Sequence, residues 1–570
     1  MEKSQQKKKK YKPLDFNIIR EKSNQDNSII APCVTSASTI RVRCSTEHKY
    51  DHDPNEAVCP CEEECDSHWG TNQVSLWTSL KYKTIDGIGF LPIVWKFLKA
   101  TIKRKLVLQK KESRYEEEFK IIRDTLKQKV CKGVKLIKHT KETAEKLSGE
   151  SPSYKLDDTF PHCYEFTPSK FYDESENMTE QEKRKEKRNY VTCFYFHGGG
   201  FMYHSPQYEF NKYLSRMAKI LNIRIFAPNY RKTPNFSYPT PINDCYDWTT
   251  HFLKNSEIYN LDPKNFCMMG DSAGGTCVMS LLVRLFRTDQ QWKPFYICGI
   301  SPVVCGAFYD LPSFQDPWCI NAFSVDNYIM YALSFSVGKE YYDCQQYILH
   351  PDLKKKEKLS DDEFLAKRKY ASIRNSWTKQ SHCLVDLNID SECFNIEKYL
   401  PIPALSCLKD LQQDFNNTSH TTNSGCLANI MNHDKREDNL LHFEKLYGKE
   451  DLQKLLKESQ AITNPEIAFF CMSTKELKDF TKFFHGTKFH FNVAEFDSTR
   501  DEILMVANRM IEAKARVTWS ISRDMPHDFP FMSTTLGGFK PSANKDTLEM
   551  LNDMKEFIDG FRPGGKKYGY

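Results

Sequence analysis

Gly270-Asp271-Ser272-Ala273-Gly274-Gly275 lies between a short apolar run, residues 266–269, and a longer run with helical spacing, residues 276–287. The order strand, tight turn, helix puts a serine at the end of a strand, with its hydroxyl clear of the sheet. The flanking positions must be small because strand end and helix start pass close together. The helix start behind the turn adds free N–H groups and a positive dipole end, both suited to developing negative charge. An ordinary glycine turn has the same letters, so the motif needs a second signal. His197-Gly198-Gly199-Gly200 supplies one, directly after the apolar residues 191–196. Three consecutive glycines expose backbone N–H groups with no side chain in the way, as an oxyanion requires. Glycine is otherwise scarce: the 570 residues contain 23, and six of them sit in these two motifs.

Outward from the motifs, residues 191–196, 223–227, 266–269 and 296–300 read as buried strands with helical stretches between them. Strand and helix in turn predict an α/β domain with a mostly parallel sheet and helices on both faces. The rhythm breaks at residues 351–460, which hold Lys354 to Lys358, a polar middle around residues 416–423 and scattered cysteines, and it resumes with a strand at 488–494, a helix at 501–514, a strand at 517–522 and a closing helix at 548–558. The expected organisation is an extended polar head at 1–70, a helical cap at 71–180, the first part of the core at 181–350, an inserted module at 351–460 and the second part of the core at 461–570. Residues 112–147 are expected to be helical, and 171–189 a charged loop.

These motifs resemble the hormone-sensitive lipase family of α/β-hydrolases, which includes the arylacetamide deacetylases. The resemblance covers roughly residues 190–345 and 462–560. It takes in the stretch from Asn229-Tyr230-Arg231 to Asp244-Cys245, the run from Ala494 to Glu502, and Met525-Pro526-His527-Asp528-Phe529. It implies an α/β-hydrolase fold with Ser272 as nucleophile, Asp497 as orienting acid and His527 as general base, in the chain order Ser, Asp, His. Gly199, Gly200 and Ala273 would supply oxyanion N–H groups, and His197, Gly198, Gly270, Asp271 and Gly274 would support the two turns. The chemistry is coherent: serine is a poor nucleophile at its own pKa and needs a histidine to take its proton, and the histidine needs a carboxylate to fix its tautomer. Asp501, four residues after Asp497 and at the start of a predicted helix, is the competing acid. Ser498 stands where many relatives have proline, and Asp528 where many have glycine. The implied activity is hydrolysis of carboxylic esters, including lipid esters, without a cofactor.

Charge and composition limit the alternatives. Hydrophobic residues at 40% and charged residues at 27% describe a chain able to bury a core. The net charge of +6 is unevenly placed. Residues 1–20 carry seven Lys/Arg against Glu2 and Asp15, and residues 81–111 carry nine against Asp86. A nucleic-acid enzyme would spread a basic face over its main body, so no nucleic-acid partner is expected. Residues 88–108 contain a basic amphipathic helix, either packed on the core with lysines in solvent or touching a lipid surface. Lys7 to Lys10 suit an acidic protein partner, for example a cytoskeletal or ciliary filament. A hydrolase-fold scaffold with little activity is therefore the second reading. Cys44, His48, His52, Cys59, Cys61 and Cys65 lack the paired spacing of common zinc sites, and no metal is expected. The amino-terminal residues hold no apolar signal-peptide core and the longest apolar run is too short to cross a bilayer. A cytoplasmic setting with free thiols follows as the expectation. Ser372, behind Lys367-Arg368-Lys369, is either a phosphosite or part of a solvated charge run. Residues 71–150 and 308–347 are expected to cover the site and set its acyl pocket.

Overall fold

The computed structural model describes residues 31–36, 39–43, 127–152, 159–172, 179–304, 313, 325–380, 444–445, 448–462, 464–531 and 541–561. Ten strands form one sheet: β1 (Ala31–Ser36), β2 (Thr39–Arg43), β3 (Val134–His139), β4 (Cys163–Pro168), β5 (Thr192–Phe196), β6 (Arg224–Pro228), β7 (Phe266–Asp271), β8 (Tyr296–Ile300), β9 (Lys488–Phe496) and β10 (Arg516–Pro526). Their order is β1-β2-β10-β9-β8-β7-β5-β6-β4-β3. The six central strands, β6 to β10 with β5, run parallel, while β3, β4, β2 and β1 add antiparallel edges. Among the described residues, twelve α-helices of eight or more residues accompany them: α1 (Lys141–Ser148), α2 (Glu180–Arg188), α3 (Asn211–Leu221), α4 (Thr240–Lys254), α5 (Ala273–Arg287), α6 (Val325–Ser336), α7 (Lys339–Leu349), α8 (Asp361–Gln380), α9 (Lys449–Ile462), α10 (Thr474–Phe483), α11 (Arg500–Glu512) and α12 (Pro541–Phe561). This is the mostly parallel, helix-covered sheet that the alternating pattern predicts.

The central strands read as continuous apolar runs because both faces are covered. On β5, Phe194 and Phe196 join Trp248 of α4, Leu281 of α5 and Met505 of α11 on one face. Cys193 and Tyr195 join Leu214 and Met217 of α3 and Leu551 and Met554 of α12 on the other. Strand boundaries fall within a few residues of those expected, β9 and β10 being longer at their carboxyl ends.

Three expectations are corrected. Residues 134–139 are a strand rather than helix: Leu136 and Lys138 face outward at the edge while β3 pairs with β4 from Val134↔Pro168 to His139↔Cys163. The segment 71–180 therefore contains two strands of the core sheet and is not wholly a helical cap. Residues 180–188 form α2 rather than a loop. That helix buries nothing; Thr179 and Glu182 close a reciprocal capping box at its start, and acidic residues lead while basic ones trail, matching the helix dipole. Within the head, residues 31–36 and 39–43 form a hairpin at the sheet edge, with β2 paired to β10 from Thr518↔Arg43 to Ser522↔Thr39. The alternation Thr39-Ile40-Arg41-Val42-Arg43 has the two-residue period of a strand. Lys7 to Lys10, residues 88–108, the cysteine-histidine group from Cys44 to Cys65 and the polar stretch 416–423 lie outside the described residues. Among the described residues no helix is long and apolar enough to cross a membrane.

The described part of the inserted module is helical. α8 bonds to α7 through Tyr341 Oη to Asn375 Oδ1 at 2.6 Å. Arg374 of α8 pairs with Glu458 of α9 at 2.7 Å.

The antiparallel edge is anchored by a buried polar group. Glu165 on β4 accepts from Arg224 Nη2 at 2.8 Å and Nε at 3.1 Å, and its other oxygen meets His139 Nε2 at 2.9 Å. Burial works to raise the Glu165 carboxyl, but Arg224 and then His139 outweigh it and hold it at about 2. Removing one member of a buried charge pair strands the other, at a cost of about 3–5 kcal/mol. Glu165→Ala is therefore expected to lower stability by that amount in urea unfolding; an unchanged midpoint would show that the edge strands do not depend on this group.

Candidate active site

Ser272 occupies the single step between β7 and α5, with φ 51° and ψ −123°, in the region that residues with a side chain rarely adopt. Strain of this kind persists only where the surroundings enforce it. Here the enforcing contact is backbone on backbone: a Cβ at Gly274 would run into the carbonyl of Phe196, and one at Gly270 into the carbonyl of Gly274. Ser272 N donates to Ile300 O at 3.0 Å, and Ser272 O accepts from Val303 N at 3.2 Å, which ties the turn to the end of β8.

The glycine run after β5 lies against this turn. A Cβ at Gly198 would come within 2.9 Å of Ser272 Cβ. Asp271 holds the two loops together: Oδ2 accepts from Gly198 N at 3.0 Å and Oδ1 from Tyr195 Oη at 2.5 Å. Burial, reinforced by the charge of Asp528, pushes the Asp271 carboxyl well above the usual carboxylate range. His197 is fully buried and held neutral by burial; its ring stacks on Tyr230 at 4.4 Å, and Nδ1 donates to Gly198 O at 2.7 Å. Gly199, with φ 112°, turns the loop, and its carbonyl accepts from Met202 and Tyr203 N–H. The N–H groups of Gly199, Gly200 and Ala273 have no acceptor among the described residues.

His527 follows β10 and Asp497 follows β9, so both reach the edge where Ser272 stands. His527 Nε2 lies 2.9 Å from Ser272 Oγ, and His527 Nδ1 lies 2.8 Å from Asp497 Oδ2. The second oxygen of Asp497 accepts from Thr499 N at 2.9 Å and Thr499 Oγ1 at 2.8 Å. Burial works to raise Asp497, but His527 and the Thr499 donors outweigh it and hold the carboxyl below its ordinary value. Asp501 does not face the imidazole: its oxygens accept from Arg500 Nε at 2.9 Å and Ser313 N at 2.7 Å. The structure thus brings together Ser272, Asp497 and His527 and leaves the competing acid elsewhere.

Several neighbours were not singled out in the sequence. Tyr331 of α6 covers Gly200 so closely that a Cβ there would lie 2.8 Å from its ring. Phe335, one turn on, stacks on Phe201 at 3.9 Å. Both fall within residues 308–347, the segment expected to cover the site, but their ring contacts leave no letter pattern. Thr499 does leave one, a threonine two residues after an aspartate, a spacing that allows local side-chain-to-backbone bonding. Among the described residues no group of three or more His, Cys, Asp or Glu side chains is arranged to hold a metal ion.

The close approach at Gly274 makes a direct prediction. Gly274→Ala forces backbone against backbone and should cost about 3 kcal/mol, the upper end of the usual overpacking range. Gly486→Ala has open space around its new Cβ and serves as the control. Urea unfolding of both variants checks this; equal midpoints would contradict the contact.

Comparison with known proteins gives the same fold. The profile of a family described by its alpha/beta hydrolase fold matches residues 193–353. A chain named as an alpha/beta hydrolase in Acanthamoeba polyphaga mimivirus is 30% identical over 152 residues, 26% of this chain and 42% of the relative. Arylacetamide deacetylase of Bos taurus is 33% identical over 140 residues, covering 24% and 35%. Neutral cholesterol ester hydrolase 1 of Pongo abelii is 31% identical over 157 residues, covering 27% and 38%. The chain spans less than half the length of these curated relatives. With its sheet order and its two glycine motifs, the chain carries an α/β-hydrolase-fold domain, similar over part of its length to the arylacetamide deacetylases.

Proposed function

We propose that this chain is a serine hydrolase acting on carboxylic esters, with Ser272 as nucleophile, His527 as general base and Asp497 as the residue that orients and stabilises the imidazole. The observation that carries the reading is the hydrogen-bonded line from Asp497 Oδ2 through His527 to Ser272 Oγ, at 2.8 and 2.9 Å. Those distances lie in the range a nucleophile–base pair needs. In the proposed reaction Ser272 Oγ attacks the ester carbonyl while His527 Nε2 takes the hydroxyl proton. The carbonyl oxygen gains negative charge beside the N–H groups of Gly199, Gly200 and Ala273, donors that Gly198, Asp271 and the two turns hold in place before any substrate arrives. Preorganised donors of this kind contribute about 3–4 kcal/mol each to the rate. His527 then returns the proton to the departing alcohol, and a water molecule repeats the sequence to release the acid.

A lipid or other apolar acyl group fits the reading, because Phe201, Phe335, Tyr203 and Tyr331 gather around the glycine loop, and because one relative is named as a cholesterol ester hydrolase. Contact with an anionic lipid surface through residues 88–108, an acidic partner for Lys7 to Lys10, and a cytoplasmic location belong to the same proposal and rest on charge and composition alone.

The test is a hydrolysis panel from p-nitrophenyl acetate through long-chain acylglycerols to cholesteryl esters, run on the full chain and on Ser272→Ala. Loss of the nucleophile in such a group costs about a millionfold in the subtilisin case, so the variant should fall at least a thousandfold on every ester that the parent cleaves. Equal rates in parent and variant would overturn the proposal.

A further inference from the structure

Asp528 follows His527 directly and adopts φ 54°, a left-handed conformation that aspartate tolerates better than most residues with a side chain. Its side chain is 16% exposed. Oδ2 lies 3.6 Å from His527 Nε2, the same nitrogen that lies 2.9 Å from Ser272 Oγ. Oδ1 is buried with no hydrogen-bond partner among the described residues. A largely buried carboxylate with an unsatisfied oxygen is costly unless a cation stands beside it. The group beside it is the imidazole. The other titratable groups facing the pair are Asp497 at the end of β9, Asp271 at the end of β7 with Tyr195 of β5 bonded to it, and Tyr213 of α3. Three carboxyl groups therefore surround one imidazole ring.

We infer that Asp528 is a positioning residue whose carboxylate attracts the second N–H of a protonated His527 in competition with Ser272 Oγ, so that the enzyme gains activity only as rising pH frees Nε2. The inference rests on the proposed roles of Ser272 and His527. It agrees in sign with the electrostatics: burial works to lower His527, but Asp497, then Asp528 and Asp271, push it up to about 10, while burial raises Asp528 to about 6. A histidine with a raised pKa is charged at neutral pH and becomes a base as pH approaches that value. The same carboxylate favours the imidazolium that forms when the Ser272 proton moves to Nε2, so it trades activity at neutral pH for a higher rate once the base is free. Asp528 takes up no proton in the reaction: the proton travels from Ser272 Oγ to Nε2 and on to the leaving alkoxide.

The test is the pH dependence of kcat and kcat/KM between pH 6 and 10.5 for p-nitrophenyl butyrate, with the full chain, Asp528→Asn and Asp528→Gly. An opposite charge at this range moves a pKa by about 1–3 units. The parent should therefore still gain activity above pH 8.5, and both variants should show a midpoint at least about one unit lower and a reduced plateau in kcat. A common midpoint in all three proteins overturns the inference. A second readout needs no activity: the low-field Nδ1 proton resonance of His527, assigned by its loss in His527→Ala, should titrate at lower pH in Asp528→Asn than in the parent. If no ester is cleaved at any pH, the esterase reading fails while this titration still decides for or against the Asp528–His527 coupling.

Discussion

The end of β5 and the start of α5 approach so closely that no side chain fits between them, and the site is organised around that contact. Gly274 lies under the Phe196 carbonyl, so the chain must turn within one residue between Asp271 and Ala273, and Ser272 takes up the strained conformation. The residues that follow Phe196 are then held against the turn, with Gly198 bonded to Asp271. A serine hydroxyl and a set of N–H groups without an acceptor among the described residues end up beside each other because two backbones collide. Side-chain preference plays little part, which is why the turn tolerates no residue larger than glycine at these points.

Electrostatics adds a second layer. Asp497, Asp271 and Asp528 stand near one imidazole in a region largely closed to water, where charges interact more strongly than in solvent. Asp497 is well satisfied, with Thr499 supplying two donors, and fits the role of orienting acid. Asp271 is committed to holding the two loops together. Asp528 is the member left with an oxygen that has no partner among the described residues, and it is the group that distinguishes this site electrostatically from a simple three-residue line. The aromatic residues of α6 add a wall against the same loop, and α6 belongs to the helical group on which the inserted module packs.

Much of this was legible in the sequence, for identifiable reasons. Glycine is informative where it is scarce, and the two motifs with their adjoining apolar runs determine both the strand–turn–helix step and the neighbouring loop. The positions of Asp497 and His527 follow because each comes after an apolar strand of a parallel sheet, and parallel strands end at the same edge. What the sequence concealed was structure whose signal is weak or contrary. Residues 134–139, Val-Lys-Leu-Ile-Lys-His, break the two-residue period at Leu136-Ile137 and lie in a segment otherwise rich in helix formers, so an edge strand looks like helix. α2 has no apolar face at all and stands on its caps and charge order. The approach of Tyr331 to Gly200 is tertiary and has no local trace. Asp528 was visible as an extra carboxylate, but the lack of a partner for its second oxygen among the described residues and its distance from Nε2 exist only in the folded chain.

The central claim is that the turn at Ser272 presents a nucleophile activated by His527. The most direct measurement is peptide-mapped mass spectrometry of the full chain after exposure to a fluorophosphonate, compared with His527→Ala. The account predicts a time-dependent covalent adduct on the peptide carrying Ser272, formed at least a hundredfold more slowly when His527 is replaced, general-base assistance being worth about 10²–10⁴-fold. An unlabelled Ser272 in folded parent protein, or labelling at the same rate without His527, would contradict it.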